Sequence, residues 1–336
     1  MPKTPQNNPK ISVVMPVYNC SAYLEEALAS LLIQSFRDFE IIAINDGSTD
    51  KSLEILQSYA KNDDRIRVID QKNSGIVSVL NRGIREAKGE YIARMDGDDI
   101  CFPNRFIDQV TILDKNTNID LVAGNFEVIN QQSEYLYREL VLTDPEDLNR
   151  AFFLRNPIAH GSVMFRKSLI DTVGPYSDAY GPTEDLELWM RVIKHSNVSS
   201  TGTPVYRWRV NMNGITMSNN SESIRQSQRH IAERWKHASP VFLSRRELLK
   251  KNRHYYETDK LHGAYYKQRF MADTSQIAAK MIAKGHVWWG VRQLFVIAST
   301  GRTGIKTVLV RIHLISFGRI ASFRKKIPFG SKGPVD

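Results

Sequence analysis

The chain has 336 residues, 42% hydrophobic and 24% charged, enough apolar material for one large α/β domain with an appendage, which excludes a disordered chain. Its two cysteines, Cys20 and Cys101, have no metal-ligand spacing, so no disulfide framework is expected and a reducing compartment is. The net charge of +10 is uneven: residues 1–224 hold 23 Lys and Arg against 30 Asp and Glu, whereas residues 225–336 hold 23 against 6, which marks two functional regions.

Residues 1–9 have no apolar run and read as a disordered lead, not a signal peptide. Ile11 to Val17 is a short β-branched apolar run and predicts a buried parallel strand. After a break at Tyr18-Asn-Cys-Ser21, apolar residues recur at helical spacing from Tyr23 to Leu32. Phe39 to Ile44 predicts the second strand. The cluster Asn45-Asp-Gly-Ser-Thr-Asp50 then turns the chain and offers caps to a helix through Leu53, Leu56 and Tyr59. Ile66 to Ile69 predicts a third strand, and Ser74-Gly75 opens a helix through Val79, Leu80 and Ile84 that stops at Lys88-Gly89. Tyr91 to Met95 is the fourth strand.

The order β-α-β-α-β-α-β predicts a doubly wound, mostly parallel sheet with right-handed crossovers. Ligands of such sheets sit outside the carboxyl ends of the strands. The polar loops headed by Tyr18-Asn19, Asp46 and Asp96 would all open on that edge. The last of these, Asp96-Gly97-Asp98-Asp99, packs three carboxylates into four residues. They repel one another unless a cation or several donors sit among them, so a divalent metal with a phosphate-bearing ligand is expected there. A solvated Asp/Gly turn would have the same composition.

Farther along, Pro103 predicts a helix start reaching Leu113. Ile119–Ala123 and Phe126–Ile129 predict two strands, and Tyr135–Leu142 a further extended piece. Asp144-Pro145-Glu146 begins a helix with Pro at its first position. His160–Phe165 is strand-like, and Leu169–Gly174 forms a short helix. Glu184–Ile193 predicts a helix with Leu186, Trp189, Met190 and Ile193 on one face, and Val205–Val210 a final strand. Beyond about Ser218 the β signal fades into Lys/Arg-rich helical segments. Their apolar cores are interrupted by Arg292, Lys306, Arg311 and Arg319, so none has the roughly 18 uncharged residues of a spanning helix. The expected division is thus a first domain over residues 10–218 and a basic helical region over 219–336.

No G-x-G-x-x-G follows the first strand and no G-x-x-x-x-G-K-[ST] occurs, so a dinucleotide fold and a P-loop are excluded. An EF-hand loop starting at Asp96 is excluded too, because Ile107 stands where the bidentate Glu belongs. What remains are Val14-Met-Pro-Val-Tyr-Asn19, Asn45-Asp-Gly-Ser-Thr-Asp50, Gly75 with Asn81-x-Gly83, Ala93-Arg-Met-Asp-Gly-Asp-Asp99, Pro103-x-Arg105-x-x-x-Gln109 and Thr183-Glu-Asp-Leu-Glu-Leu-Trp-Met-Arg191. In order and spacing they resemble the serial motifs of the family 2 glycosyltransferases, over roughly residues 10–215. That resemblance implies the GT-A fold and an inverting, metal-dependent enzyme using a nucleotide sugar, UDP-linked, with a saccharide or lipid-linked acceptor in surface-polysaccharide assembly.

The resemblance also assigns roles. Pro16, Val17, Tyr18 and Asn19 line the base and ribose. Asp46 accepts a hydrogen bond from a uracil-like base, and Gly75, Asn81 and Arg94 belong to the nucleotide side. Within the Asp-x-Asp pair, Asp98 meets a Mn²⁺ or Mg²⁺ ion, while Asp96 bonds the ribose and helps with the cation. Asp99 is left between that site and a capping carboxylate. Asp185 is the general base and Glu184 orients it, although acids at a helix N-terminus are also favoured by the dipole without any function. In many relatives a histidine completes the metal shell where this chain has Asn211. An amide oxygen can still ligate a hard cation. His160 falls near the acceptor side.

Two rival functions use the same letters. A nucleotidyltransferase would want metal-binding acids but also a Gly/Arg/Lys-rich loop after the first strand, which Tyr18-Asn-Cys-Ser21 does not supply. A non-enzymatic binding protein would use the basic back end on nucleic acid or membrane. Its basic residues alternate with Trp288, Trp289, Phe295, Phe317 and Phe323, which suits an anionic membrane surface better than a phosphate-tracking groove. Nucleic acid is therefore not an expected partner, and the expected location is cytoplasmic, peripheral on the inner face of the cell membrane.

Overall fold

The computed structural model describes residues 8–152 and 156–210. Most of the expected lead, Asn211 and the whole basic region 219–336 lie outside the described residues. Three βα repeats and a fourth strand come first: β1 (Ile11–Val17), α1 (Leu24–Leu32), β2 (Phe39–Asp46), α2 (Ser52–Asn62), β3 (Ile66–Gln71), α3 (Ile76–Glu86) and β4 (Tyr91–Arg94). A two-residue strand β5 (Ile100–Cys101), helix α4 (Arg105–Lys115), strands β6 (Ile119–Ile129) and β7 (Tyr135–Glu139), and helix α5 (Pro145–Ala151) follow. Strand β8 (Met164–Arg166), helices α6 (Leu169–Val173) and α7 (Glu184–His195) and strand β9 (Asn197–Arg209) complete the described chain.

All nine strands form one sheet in the order β3-β2-β1-β4-β8-β6-β9-β5, with β7 beside β6. The first four strands are parallel, as the alternating pattern predicts. Beyond β4 the sheet is mixed. β8 runs antiparallel to both β4 and β6, β9 is parallel to β6, and β5 is antiparallel to β9.

Two features of the second half differ from the sequence reading. The expected strands at 119–123 and 126–129 are one strand, β6, whose register against β9 shifts on either side of Asn125. That irregularity absorbs the Gly124-Asn125 interruption. The strand expected over His160–Phe165 is a 3₁₀ turn over His160–Ser162 followed by the short β8.

Strand β1 is buried along its whole length and its side chains alternate between two cores. Ile11, Val13, Met15 and Val17 pack with α1, Leu56 of α2 and α4 on one face. Val14 packs with Ile42, Ile44 and α3 on the other, in a cluster that runs on to α6 and α7. The helix pattern expected for α7 holds in part: Leu186, Leu188, Trp189 and Val192 are its buried apolar residues, with Met190 and Ile193 at the margin. Helices thus cover both faces, and the carboxyl ends of the parallel strands β1, β2 and β4 lie along one edge of the sheet.

Candidate active site

The loop after β1 is tied to the loop after β2. Asn19, at φ 52°, donates its backbone N–H to Ser48 Oγ at 3.0 Å and accepts from the backbone N–H of Thr49 at 2.8 Å. Asparagine is among the few side chains that take this left-handed conformation readily. The backbone N–H groups of Cys20 and Ser21 donate to Ser52 Oγ and Asp50 Oδ2, both at 2.9 Å. Against the upward push of burial, hydrogen bonds from Ser52 and Ser21 hold Asp50 down to a pKa of about 2. Pro16 to Asn19 therefore form a fixed wall, from which Tyr18 stands 51% exposed.

Asp46 ends β2 and is buried. Its Oδ1 accepts from Gln71 Nε2 at 2.8 Å and from the backbone N–H of Ser74 at 2.9 Å, and Oδ2 accepts from Gly75 N–H at 3.0 Å. It thereby shapes the entry to α3, the turn-forming role its position allowed. Oδ2 keeps one lone pair. Gly75 sits at φ 84° with open space where a Cβ would stand, so glycine is needed here for its backbone conformation. Asn81, expected on the nucleotide side, exchanges two 2.9 Å bonds with the backbone of Tyr176 and so fastens α3 to the chain before α7.

The acid loop between β4 and β5 divides into parts. Asp96 and Asp98 are half-buried and Asp99 is buried. Asp99 accepts from Tyr206 Oη and from the backbone N–H of Arg209, both at 2.7 Å. Burial, with Asp96 and Asp98 beside it, pushes its carboxyl well above the usual range. Asp99 thus joins the loop to β9, which is neither of the two roles expected for it, the metal site or a cap on the segment that follows. Tyr206 Oη in turn accepts the backbone N–H of Asp96 at 3.2 Å.

Asp96 is ion-paired to Arg94, a buried guanidinium. Burial alone would lower the pKa of Arg94, but Asp96 and Tyr206 hold it above the ordinary value. The same positive charge acts on Glu184 and Asp185. These acids open α7, where the helix dipole favours negative charge. Asp185 is fixed at Oδ2 by Asn156 Nδ2 at 2.8 Å and at Oδ1 by the Leu186 N–H at 2.6 Å, and burial raises its pKa. Glu184 is more deeply buried, and its Oε2 has no hydrogen-bond partner among the described residues. Burial, with Asp185 adjacent, pushes it up to about 7. His160 lies 3.9 Å from Glu184 and bonds Tyr176 Oη at 2.8 Å. Burial and the charge of Arg94 keep it neutral, well below its usual pKa.

Among the described residues no three His, Cys, Asp or Glu side chains are grouped to hold a metal by themselves. With Asp99 taken up by β9, the loop offers Asp98 and the Arg94-bound Asp96. That set suits a hard cation that takes its remaining oxygens from substrate phosphates, as Mg²⁺ commonly does.

Sequence reading missed Tyr176, Asn156, Tyr206 and Arg209. Their partners lie up to 183 positions away, and no local pattern announces such contacts.

Residues 12–174 match the family model described as glycosyl transferase family 2. The putative glycosyltransferase EpsE of Bacillus subtilis is 35% identical over 190 residues, covering 55% of this chain and 67% of that protein. The chain belongs to the family 2 glycosyltransferases. An uncharacterized glycosyltransferase of Rickettsia typhi is 35% identical over 57% of this chain and 61% of its own length, so the chain spans about three fifths of that family member. Among solved structures, TarS 1-349 of S. aureus in complex with UDP-GlcNAc has a TM-score of 0.56 at 20% identity, over 80% of each chain. The mannosyltransferase PcManGT of Pyrobaculum calidifontis, in complex with GDP-Man and Mn²⁺, has a TM-score of 0.51 at 17% identity, over 90% of this chain and 88% of that one. The shared architecture is the GT-A fold of family 2 glycosyltransferases, as the motif resemblance implied.

Proposed function

We propose that the protein is an inverting glycosyltransferase that moves a sugar from a nucleoside diphosphate sugar, UDP-linked, to a hydroxyl of a saccharide or lipid-linked acceptor. The observation that carries this reading is Arg94. One buried guanidinium pairs with the acid loop on one side and acts on Glu184 and Asp185 on the other. A leaving diphosphate and a proton acceptor can therefore share one cleft.

In this reading the base and ribose lie against Pro16 to Asn19. Asp46 accepts the base N–H, Gly75 lets the backbone approach, and Asn81 acts through Tyr176. The acceptor oxygen attacks the anomeric carbon as its proton passes to Asp185, and the bond to the diphosphate oxygen breaks. A pKa raised by burial makes Asp185 a stronger base than a surface carboxylate. Bonds from Asn156 and Leu186 leave a lone pair on each of its oxygens. Glu184 and neutral His160 hold its surroundings. A Mn²⁺ or Mg²⁺ ion held by Asp98 with help from Asp96 would neutralise negative charge on the diphosphate. The Mn²⁺ in the mannosyltransferase structure supports the use of a divalent ion; Asn211, outside the described residues, stands where many relatives have a histidine ligand, and its amide oxygen could take that place. The basic region rests on an anionic membrane surface at the cytoplasmic face. No described helix is long and apolar enough to cross a membrane.

The test is a thermal-unfolding screen of nucleoside diphosphate sugars with and without Mn²⁺ or Mg²⁺. Ligand at 100 times its Kd adds about 2.7 kcal/mol and raises Tm by roughly 5 °C or more. If no such sugar shifts Tm in the presence of metal, the reading fails.

A further inference from the structure

Arg209, the last residue of β9, is 2% exposed and reaches three separate parts of the molecule. Its Nε donates to the carbonyl oxygen of Asp98 at 2.7 Å. Nη1 donates to Ser133 Oγ at 2.9 Å, and at longer range to the Asn130 and Gln131 carbonyls. Nη2 donates to Glu26 Oε2 at 2.6 Å. The guanidinium also stacks over the Tyr23 ring, with its carbon 4.5 Å from the centroid. Meanwhile its backbone N–H holds Asp99 at 2.7 Å. Ser133 Oγ closes the arrangement by donating to both oxygens of Glu26, at 3.1 and 3.0 Å. One arginine therefore grips two consecutive residues of the acid loop and anchors them to α1 and to the turn between β6 and β7.

Such a grip has a physical purpose. Three carboxylates within four residues repel, and a loop left to itself would spread. Arg209 opposes this by direct bonds to the loop and by its charge, whose carboxylate partner Glu26 is 45% exposed and therefore partly screened. We infer that Arg209 is a positioning residue that sets the backbone at Asp98 so that its carboxylate can receive the divalent cation. This rests on the reading of Asp98 as a cation ligand. A lysine would keep the charge but not the fork that spans the Asp98 carbonyl, Ser133 and Glu26 at once, so Arg209→Lys separates geometry from electrostatics.

The experiment measures UDP affinity of the full-length chain by calorimetry in Mn²⁺ and in EDTA, together with Mn²⁺ binding followed by electron paramagnetic resonance. Arg209→Lys should weaken Mn²⁺-dependent UDP binding by about tenfold or more and change UDP binding in EDTA by less than about twofold. Glu26→Gln, at a half-exposed partner, should shift the Mn²⁺ dependence in the same direction, and it decides the matter if Arg209→Lys does not fold. Arg166→Lys is the control. It removes a comparable set of backbone bonds, to the Leu113, Asn116 and Ile119 carbonyls, at the opposite end of the strands, and should leave Mn²⁺ dependence at the parent level. A parent that shows no Mn²⁺ dependence overturns the cation reading and this inference with it. A parent that shows it, matched by Arg209→Lys or equally impaired in Arg166→Lys, overturns this inference alone.

Discussion

Asp185 and Glu184 are neighbours in the chain, yet their carboxyl groups meet different surroundings. Asp185 is bonded at both oxygens, whereas Glu184 Oε2 has no hydrogen-bond partner among the described residues. Asp185→Asn should reduce transfer by about 10²–10⁴-fold, the usual contribution of a general base. Donor affinity by calorimetry should meanwhile stay within about twofold of the parent; an unchanged transfer rate would remove Asp185 from the role. Glu184 makes a separate prediction about stability. Its folded pKa of about 7 stands above the 4.5 of an ordinary glutamate, so the folded state holds the proton more tightly than the unfolded one. Stability is then full below pH 4.5 and is lost as pH rises toward 7. Glu184→Gln removes that loss, and its Tm should gain on the parent's between pH 5 and pH 8; a constant gap would count against it. The acids themselves were legible in the sequence because they stand in a run at a helix start. Their different environments were not, since Asn156 and Arg94 are brought to them only by the fold.

At the scale of elements, α3 shows how tightly the sheet edge is built. A Cβ on Gly83 would come within 2.4 Å of Val14 Cγ1, so this helix lies directly on β1. Gly83→Ala should cost about 1–3 kcal/mol through overpacking, read as a lower urea midpoint at unchanged slope. A change under about 0.5 kcal/mol would mean that α3 can lift away freely. The three βα repeats and β4 were readable because each strand is a continuous apolar run and each helix has its own period. The second half was less so. Strand β8 has three residues, too few for any period to show, and it pairs with partners on both sides that lie far off in sequence. Gly124-Asn125 looked like a break because composition alone cannot distinguish a bulge from an end. Asn125 instead donates to the Gly202 carbonyl at 2.7 Å and accepts the Val141 N–H at 2.7 Å.

The whole molecule combines a mildly acidic front that carries the site with a basic back outside the described residues. Each basic residue near an anionic surface contributes about 1 kcal/mol. The full chain should therefore sediment with phosphatidylglycerol vesicles at about 0.15 M salt and be released near 1 M, where the Debye length falls from about 8 to about 3 Å. Binding to RNA but not to vesicles at the lower salt would reverse the assignment of partner. The way β9 completes the acid loop has a further consequence, in time instead of space. Both donors to the Asp99 carboxylate come from β9, 107 and 110 positions downstream. At 5 to 20 residues per second, ribosomal synthesis separates the two by roughly 5 to 20 s. A nascent chain stopped near residue 200 would already contain every strand of the parallel half, yet neither clasp of its acid loop. The acid loop is thus left without its β9 clasp until translation of the described domain is all but finished.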